Sequence, residues 1–346
     1  MRDAIGDRIP RPRVTLADVA REAGCSAAAV SLWVNGKSSG RLTVENAERI
    51  EHAVVRLGYV PNRTAQRLAL GSSQSVAFLF PGAAYGSFFT AIVDGVADRL
   101  GPEWEITFVD AKLSASAASY APLERALRSD PSGLLVSAPS LDILAALEDV
   151  CVPTVVIDAP SAPAHVSVVT LDLTPSIHAL VQHLDELGHR RVAYVSYVAE
   201  SLSLSSRRSQ VRDQLLRRGI DMFDQDLLLD SLTLTHAAQA FTGIWPAWER
   251  AGVTAVICAD DRHAYGVMAA GRELGIDLPG RLSLVGFNDL DPNALLSPAL
   301  SAIALPALEM GTAAADAFAA HLSTGTPSRL MIPTRYIRRE STGPRR

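Results

Sequence analysis

Apolar residues in the first 74 positions recur at helical spacing, and from Ser75 onward they gather into short continuous runs. Leu16, Val19, Ala20 and Ala23 share one helical face, with Asp18, Arg21 and Glu22 opposite. Thr15 is a suitable N-cap, and Asp18, three residues on, can complete a capping box. Gly24 supplies a stop, Cys25 and Ser26 a tight turn, and Ser26 a cap for a second helix over Ala27 to Asn35, ended by Gly36. A third helix begins near Thr43, carries Val44, Ala47, Ile50, Val54 and Leu57 inward, and stops at Gly58. Asn62 caps a last short helix, Arg63 to Leu70, too short to be stable alone in water. Two short helices joined by a glycine-containing turn form the helix-turn-helix arrangement, whose second helix fits the major groove of DNA.

After Ser75 the pattern becomes apolar strands alternating with amphipathic helices. Strands are predicted at Ser75 to Phe80, Ile106 to Asp110, Gly133 to Ser137 and Thr154 to Asp158, with helices at Phe88 to Leu100, Leu123 to Ser129 and Leu141 to Glu148. The turn-forming stretch Pro160 to His165 reads as a crossover into a second series. That series has strands at Val166 to Asp172, Val192 to Ser196, near Leu227, Ala255 to Ala259 and Ser283 to Phe287. Its helices are Pro175 to Leu187, Ser206 to Arg218, Thr235 to Ala251 and Arg262 to Leu274. Continuous apolar strands with intervening helices indicate parallel sheets covered on both faces. The predicted class is therefore α/β, an all-α headpiece followed by two lobes of doubly wound sheet.

Ligands bind such sheets outside the carboxyl ends of the strands, and in two lobes those ends face each other across a cleft. The candidate positions are Pro81 to Ser87, Ser137 to Ser140 and Asp158 from the first lobe, with Ser196 to Arg207, Asp260 and Asn288 from the second. Tyr85, Phe88 and Phe89 stand where an aromatic platform for a ring would sit, although Phe89 has a competing place in the core. Trp245 and Trp248 read as packing residues.

Charge sharpens the division. The whole chain of 346 residues carries a formal −5, but residues 1–70 hold 11 basic against 7 acidic side chains, a net of +4, and the remainder nets −9. A basic reader on an acidic body suits nucleic-acid binding, although +4 over 70 residues is also ordinary. Only Lys37 and Lys112 are lysines, so nearly all the positive charge is arginine. Cys25, Cys151 and Cys258 are widely spaced without a CxxC pair, which fits a reducing compartment. No apolar run is long enough to span a bilayer, and residues 1–13 lack the apolar core of a signal peptide, so a cytoplasmic, nucleoid-associated protein is expected. No GxGxxG, GxxxxGK or HExxH motif occurs and the eight histidines form no ligand cluster, so neither an enzyme nor a metal or other cofactor is expected.

Three blocks, VTLADVAREAG, the VNG after the second helix and LGYVPNRTAQRLALG, together resemble the LacI/GalR (lactose-repressor) family of bacterial transcription regulators. ELGHRRVAYV, RELGIDLP, LPGRLSLVGFND and IPTRYIRREST extend the resemblance through the body. The resemblance implies a headpiece that binds a near-palindromic operator as a homodimer, and a hinge helix whose leucine, matching Leu68, wedges into the minor groove. It also implies a periplasmic-binding-protein-like core that senses a sugar-like or nucleoside-like effector, most members being repressors. The domains so implied are an arm over 1–13, the helix-turn-helix over 14–61, and hinge and linker over 62–74. A core over 75–340 and a tail over 341–346 follow. The core divides into a first lobe of 75–160 and about 290–322 and a second of 161–289 and about 323–340. No heptad of leucines follows, so no tetramerising tail is expected.

Carried over by position, DNA contacts fall to Thr15, Ser26, Ala27, Ala28, Ser31, Leu32, Asn35, Arg41, Asn62, Arg63 and Leu68. The base-reading places in the second helix hold Ala27, Ala28 and Leu32, where Leu32 replaces a usual arginine and Ala29 a usual threonine. None can hydrogen-bond a base edge, so readout is expected to rest on phosphates, groove shape and the Leu68 wedge. Effector contacts fall to Tyr85, Phe88, Ser137, Asp158, Arg207, Asp260 and Asn288. Asp260 stands where an asparagine is usual and Asn288 where an aspartate is usual, an exchange of carboxylate and amide. The plainer alternatives stay open: cap and strand-end hydrogen bonds for Asp260 and Asn288, a surface ion pair for Arg207, and an exposed helical serine for Ser31. A cytosolic carbohydrate-binding protein with a degenerate headpiece is the competing reading of the whole chain.

Overall fold

A computed structural model describes residues 14–34, 36, 38–59, 74–80, 86–111, 120–198, 201–223, 226–229 and 233–345. The arm expected over 1–13 and nearly all of the hinge and linker expected over 62–74 lie outside these residues. The chain forms two compact units, residues 1–73 and 74–346.

In the first unit, helices α1 (Leu16–Ala23), α2 (Ala27–Val34) and α3 (Val44–Leu57) close over Val19, Ala23, Val30, Ile50, Ala53 and Tyr59. Local chemistry sets each boundary. The Thr15 hydroxyl accepts from Asp18 N at 3.3 Å while the Asp18 carboxylate accepts from Thr15 N at 2.9 Å, the predicted capping box. Ser26 Oγ accepts from Ala29 N at 3.1 Å to start α2, and Thr43 Oγ1 accepts from Asn46 N at 3.3 Å to start α3. Gly24 and Gly58 end α1 and α3 in the left-handed region, at φ of 60° and 61°. One predicted inward residue points out: Val44, in the first turn of α3, is 77% exposed, whereas Ala53, which was not predicted to face inward, is buried.

The second unit contains two sheets. β1 (Ser75–Phe80), α4 (Gly86–Leu100), β2 (Glu105–Asp110), α5 (Ala121–Leu127), β3 (Gly133–Ser137), α6 (Leu141–Ala146), β4 (Thr154–Ile157) and β5 (Ser167–Asp172) build the first lobe. The chain then forms α7 (Thr174–Glu186), β6 (Arg191–Tyr197), α8 (Leu202–Arg217), β7 (Asp221–Met222), β8 (Leu227–Leu229) and α9 (Leu234–Arg250). β9 (Ala255–Cys258), α10 (Asp261–Glu273), β10 (Ser283–Asn288) and β11 (Ser301–Ala304) complete most of the second lobe. Last come α11 (Ala307–Thr324), β12 (Arg329–Pro333) and β13 (Arg335–Ile337). The first sheet runs β12-β5-β4-β3-β1-β2, parallel throughout. The second runs β13-β11-β10-β9-β6-β7 with β8 also on β6, parallel except for β13 against β11. Val76, Leu134, Val155, Val192, Val256 and Leu284 are fully buried in these strands, as sheets covered on both faces require.

This topology corrects the expected lobe boundaries. β5 belongs to the first sheet, paired with β4 from Val155↔Ser167 onward, so the turn at 160–165 is a connection within one sheet and not the crossover. β11 pairs with β10 in the second sheet and β12 with β5 in the first, each opposite to the lobe expected from its place in the chain. The chain thus passes between lobes at 172–174, 304–307 and 333–335. The last residues are not a tail either. Ser341 Oγ donates to Leu284 O at 2.6 Å and accepts from Ser301 N at 2.8 Å, and Gly343 N donates to Ser283 Oγ at 3.0 Å.

Candidate functional site

The carboxyl ends of three strands carry non-glycine residues in the left-handed region: Ala138 after β3, Asp158 after β4, and Asn288 with Asp289 at the end of β10, with φ of 43°, 58°, 110° and 60°. Such backbone is costly and persists where surrounding structure fixes it, which marks the mouth between the lobes as a built site.

A small cavity of about 30 Å³ lies there, lined from the first lobe by Phe88 and Asp158 and from the second by Tyr197, Ser201, Ser203, Leu204, Arg207, Ala259, Asp260, His263 and Asn288. Arg207 Nη2 donates to Asp158 Oδ2 at 2.8 Å, and the guanidinium carbon sits 5.9 Å from the centre of the Phe287 ring. Arg207 Nε is buried without a hydrogen-bond partner among the described residues. Asp260 caps α10: its Oδ1 accepts from Arg262 N at 2.8 Å and Arg262 Nε at 3.1 Å, and its Oδ2 accepts from Asn288 Nδ2 at 3.0 Å. The cap and strand-end roles weighed for Asp260 and Asn288 are therefore realised in the same residues that line the cavity. Each guanidinium at the site faces one carboxylate, Arg207 with Asp158 and Arg262 with Asp260.

Beneath this layer, Asp261 is fully buried, and desolvation pushes its carboxyl well above the usual carboxylate range. Its Oδ2 accepts from Leu290 N at 2.8 Å and Asn293 Nδ2 at 3.0 Å, which ties down the turn that follows Asn288. The same carboxylate lies against Gly286, where an added Cβ would come within 2.0 Å of Oδ1.

On the headpiece, Thr15, Ser26, Ala27, Ala28 and Arg41 are exposed, and Ser31 and Leu32 are half-buried on α2. Asn35, Asn62, Arg63 and Leu68 lie outside the described residues, as does Tyr85 of the cleft.

Two family models match the chain: bacterial regulatory proteins, lacI family, over residues 15–62, and a periplasmic binding protein-like domain over residues 181–342. The chain belongs to the LacI/GalR family of bacterial transcription regulators. The maltose regulon regulatory protein MalI of Escherichia coli is 27% identical over 344 residues, covering 94% of this chain and 98% of that protein. The lactose operon repressor of the same organism is 28% identical over 339 residues, covering 95% and 91%. Among solved structures, a lac repressor dimer bound to operator and an anti-inducer superposes with a TM-score of 0.75 at 24% identity, covering 96% and 99%. A transcriptional regulator CelR–cellobiose complex superposes at 0.65 with 26% identity, covering 95% and 100%.

As a DNA-binding regulator of this family, the chain brings together five of the seven cleft residues read from sequence: Phe88, Asp158, Arg207, Asp260 and Asn288. Ser137 is buried at the end of β3 but does not line the cavity. Arg208, next to Arg207 in the chain, does not line the cavity and pairs with Asp226. Phe89 stacks on Phe80 at 4.8 Å between ring centres and is core. Tyr197, Ser201 and Ser203 also line it, within the stretch Ser196 to Arg207 read from the sequence, and His263 joins them without having been named. The first three lie in the stretch before Arg207, where α8 starts four residues earlier than its polar pattern suggested and Ser201 caps it through Leu204 N at 3.3 Å. Among the described residues no helix is long and apolar enough to cross a membrane, and no three His, Cys, Asp or Glu side chains are grouped to hold a metal.

Proposed function

We propose that this regulator is a cytoplasmic repressor that binds a near-palindromic operator as a homodimer, releasing or tightening on it when a sugar or related polyol enters the cleft between its lobes. The observation that carries the reading is the buried Arg207–Asp158 contact from lobe to lobe, set beside Asp260 and Asn288 in one cavity. A ligand able to accept from Arg207 and donate to Asp158 binds both lobes at once. Its differential affinity for two lobe arrangements is what can shift the operator-binding equilibrium. Structurally similar proteins support the ligand class: one was solved with ribose and another with cellobiose. The lac repressor dimer on its operator supports the assembly.

In this reading Phe88, Asp158, Arg207, Asp260 and Asn288, with Tyr85 and Ser137 at the margin, take the effector. Thr15, Ser31, Asn35, Arg41, Asn62 and Arg63 meet phosphate or sugar oxygens, Ser26, Ala27, Ala28 and Leu32 face the major groove, and Leu68 enters the minor groove. The protein acts by binding alone and catalyses no reaction.

The test is a thermal-melting screen of the full-length protein over sugars and nucleosides, followed by gel-shift on genomic fragments with each hit. A sugar that raises the melting temperature and changes sequence-preferring DNA binding is the expected result. Hits that stabilise the protein without altering DNA binding would overturn the coupling, and absence of sequence-preferring binding would overturn the regulator reading.

A further inference from the structure

The last described residues cross the second lobe at the amino ends of β10 and β11, the pole away from the cleft. Ser341, Thr342 and Gly343 are buried there; Leu284 N donates to Ser341 O at 2.8 Å, and Thr342 Oγ1 lies 3.2 Å from Ser301 Oγ. Two buried imidazoles stand at the same place. His183 Nε2, on α7, is 3.1 Å from Thr342 Oγ1, and His189 Nε2 is 2.9 Å from Ser283 Oγ. Ser283 Oγ also accepts from Gly343 N at 3.0 Å and donates to Gly343 O at 3.2 Å, which leaves it one lone pair for an Nε2–H of His189. This network assigns His189 as the neutral Nε2–H tautomer, with Nδ1 accepting from the Thr254 hydroxyl at 2.8 Å.

Neither ring has a carboxylate partner among the described residues, so an added proton meets hydroxyls already committed and no counter-charge. The charged and titratable groups that face the pair are Arg190 beside His189, Arg338 and Arg345 from the last residues, Glu186 on α7, and each ring the other, with Tyr336 of β13 5.8 Å from His183. Of these charges only Glu186 favours a proton, on His183. Burial is the main cause that holds both rings below their ordinary pKa, His189 at about 4. What the rings hold is lightly anchored. Residues 338–345 bury Ser341, Thr342 and Gly343 but no apolar side chain, so hydrogen bonds keep the segment in place, and such segments open locally before the rest of a fold. The segment also reaches the cleft: Arg339 Nη1 donates to Asp289 Oδ1 at 2.5 Å and to Leu300 O at 2.7 Å, and Asp289 follows Asn288 in the left-handed turn.

We propose that residues 338–345 form a proton-operated latch: a proton taken up by His189 or His183 frees the segment from the amino ends of β10 and β11, and its release withdraws Arg339 from Asp289 at the cleft mouth. Opening returns His189 to its ordinary value of 6.5, so the open form binds a proton that the closed form does not between 6.5 and about 4, and opening grows as pH falls through that window. From His189 alone, the open fraction at pH 5.5 is about tenfold that at pH 7. The latch operates whether or not a ligand occupies the cleft.

The test is hydrogen–deuterium exchange of the full-length protein at pH 7 and pH 5.5, with labelling times scaled for the intrinsic exchange rate, on wild type, His183→Gln and His189→Gln. In wild type, protection of peptides covering 338–345 falls about tenfold at the lower pH, peptides covering 288–293 lose protection with them, and β9 in the same lobe keeps its own. His189→Gln supplies one donor and one acceptor without titrating, and it shrinks the pH step to about threefold or less; His183→Gln shrinks it in the same direction. Wild-type protection that is equal at the two pH values overturns the latch, as does a full step that persists in both variants. An equal loss in β9 means that acid unfolds the lobe as a whole, which also overturns it. Loss at 338–345 with 288–293 unmoved overturns the link to the cleft mouth. Should a variant not fold, the wild-type profile decides by itself.

Discussion

Arg207 on α8 and Asp158 at the end of β4 meet at 2.8 Å from opposite lobes, with only 5% and 9% of their side chains exposed. A buried pair of this kind is costly to break from one side, because the remaining charge has lost its partner and has little water. Arg207→Met therefore destabilises the protein by about 3–5 kcal/mol, whereas Arg207→Met with Asp158→Leu costs less than the sum of the single changes. Urea unfolding of the four proteins in the cycle checks this. Additive losses would show that the two side chains are not coupled.

The second prediction concerns acid. His189 is buried, its Nδ1 2.8 Å from Thr254 Oγ1 and its Nε2 2.9 Å from Ser283 Oγ, the same serine that holds Gly343. Desolvation is the main cause that lowers its pKa to about 4, from an ordinary value of 6.5. Between these values the unfolded chain binds the proton and the folded one does not, so stability rises with pH across that window and is lost as pH falls from about 6.5 towards 4. The loss from this residue reaches about 3 kcal/mol at the acid end. His189→Gln keeps one donor and one acceptor and flattens the slope. Denaturation midpoints measured from pH 4 to 7 should show wild type and variant converging at the acid end.

Helices α4 and α11 touch backbone to backbone in the first lobe. A Cβ added at Gly311 would come within 2.1 Å of Ile92 O, and one at Gly95 within 2.3 Å of Leu308 O. Neither carbonyl can move without shifting its helix, so Gly311→Ala overpacks the contact and costs about 1–3 kcal/mol. A fall in melting temperature of several degrees is expected, and an unchanged value would mean that the helices part freely.

Much of this architecture was readable because it is local. Thr15 with Asp18, Ser26, Thr43, Gly24 and Gly58 announce the headpiece helices through hydrogen bonds that reach no more than a few residues. Lobe membership of β5, β11 and β12 was not readable, since an apolar strand carries no mark of which sheet it joins and pairing is decided at long range. Arg207 and Asp158 could each be placed at a strand end or helix start, but that they meet required the fold. The start of α8 was missed because Leu202 to Ser205 alternates leucine and serine, a pattern closer to strand than helix, and the Ser201 cap overrides it.

The recognition helix sets the last prediction. α2 presents Ala27 and Ala28 to solvent and Leu32 half-buried, and none of these side chains donates or accepts a hydrogen bond. Base changes at the major-groove positions of the operator should therefore cost the wild-type protein less than the roughly 1–3 kcal/mol typical of a bidentate contact, with larger effects where groove shape changes. Leu32→Arg restores a side chain that can pair with guanine O6 and N7, and it should raise the penalty at one base pair per half-site into that range. The measurement is fluorescence anisotropy at fixed salt on an operator series changed one base pair at a time. Steep penalties for the wild type at every major-groove position, abolished by Leu32→Ala, would show that the apolar face already reads bases directly.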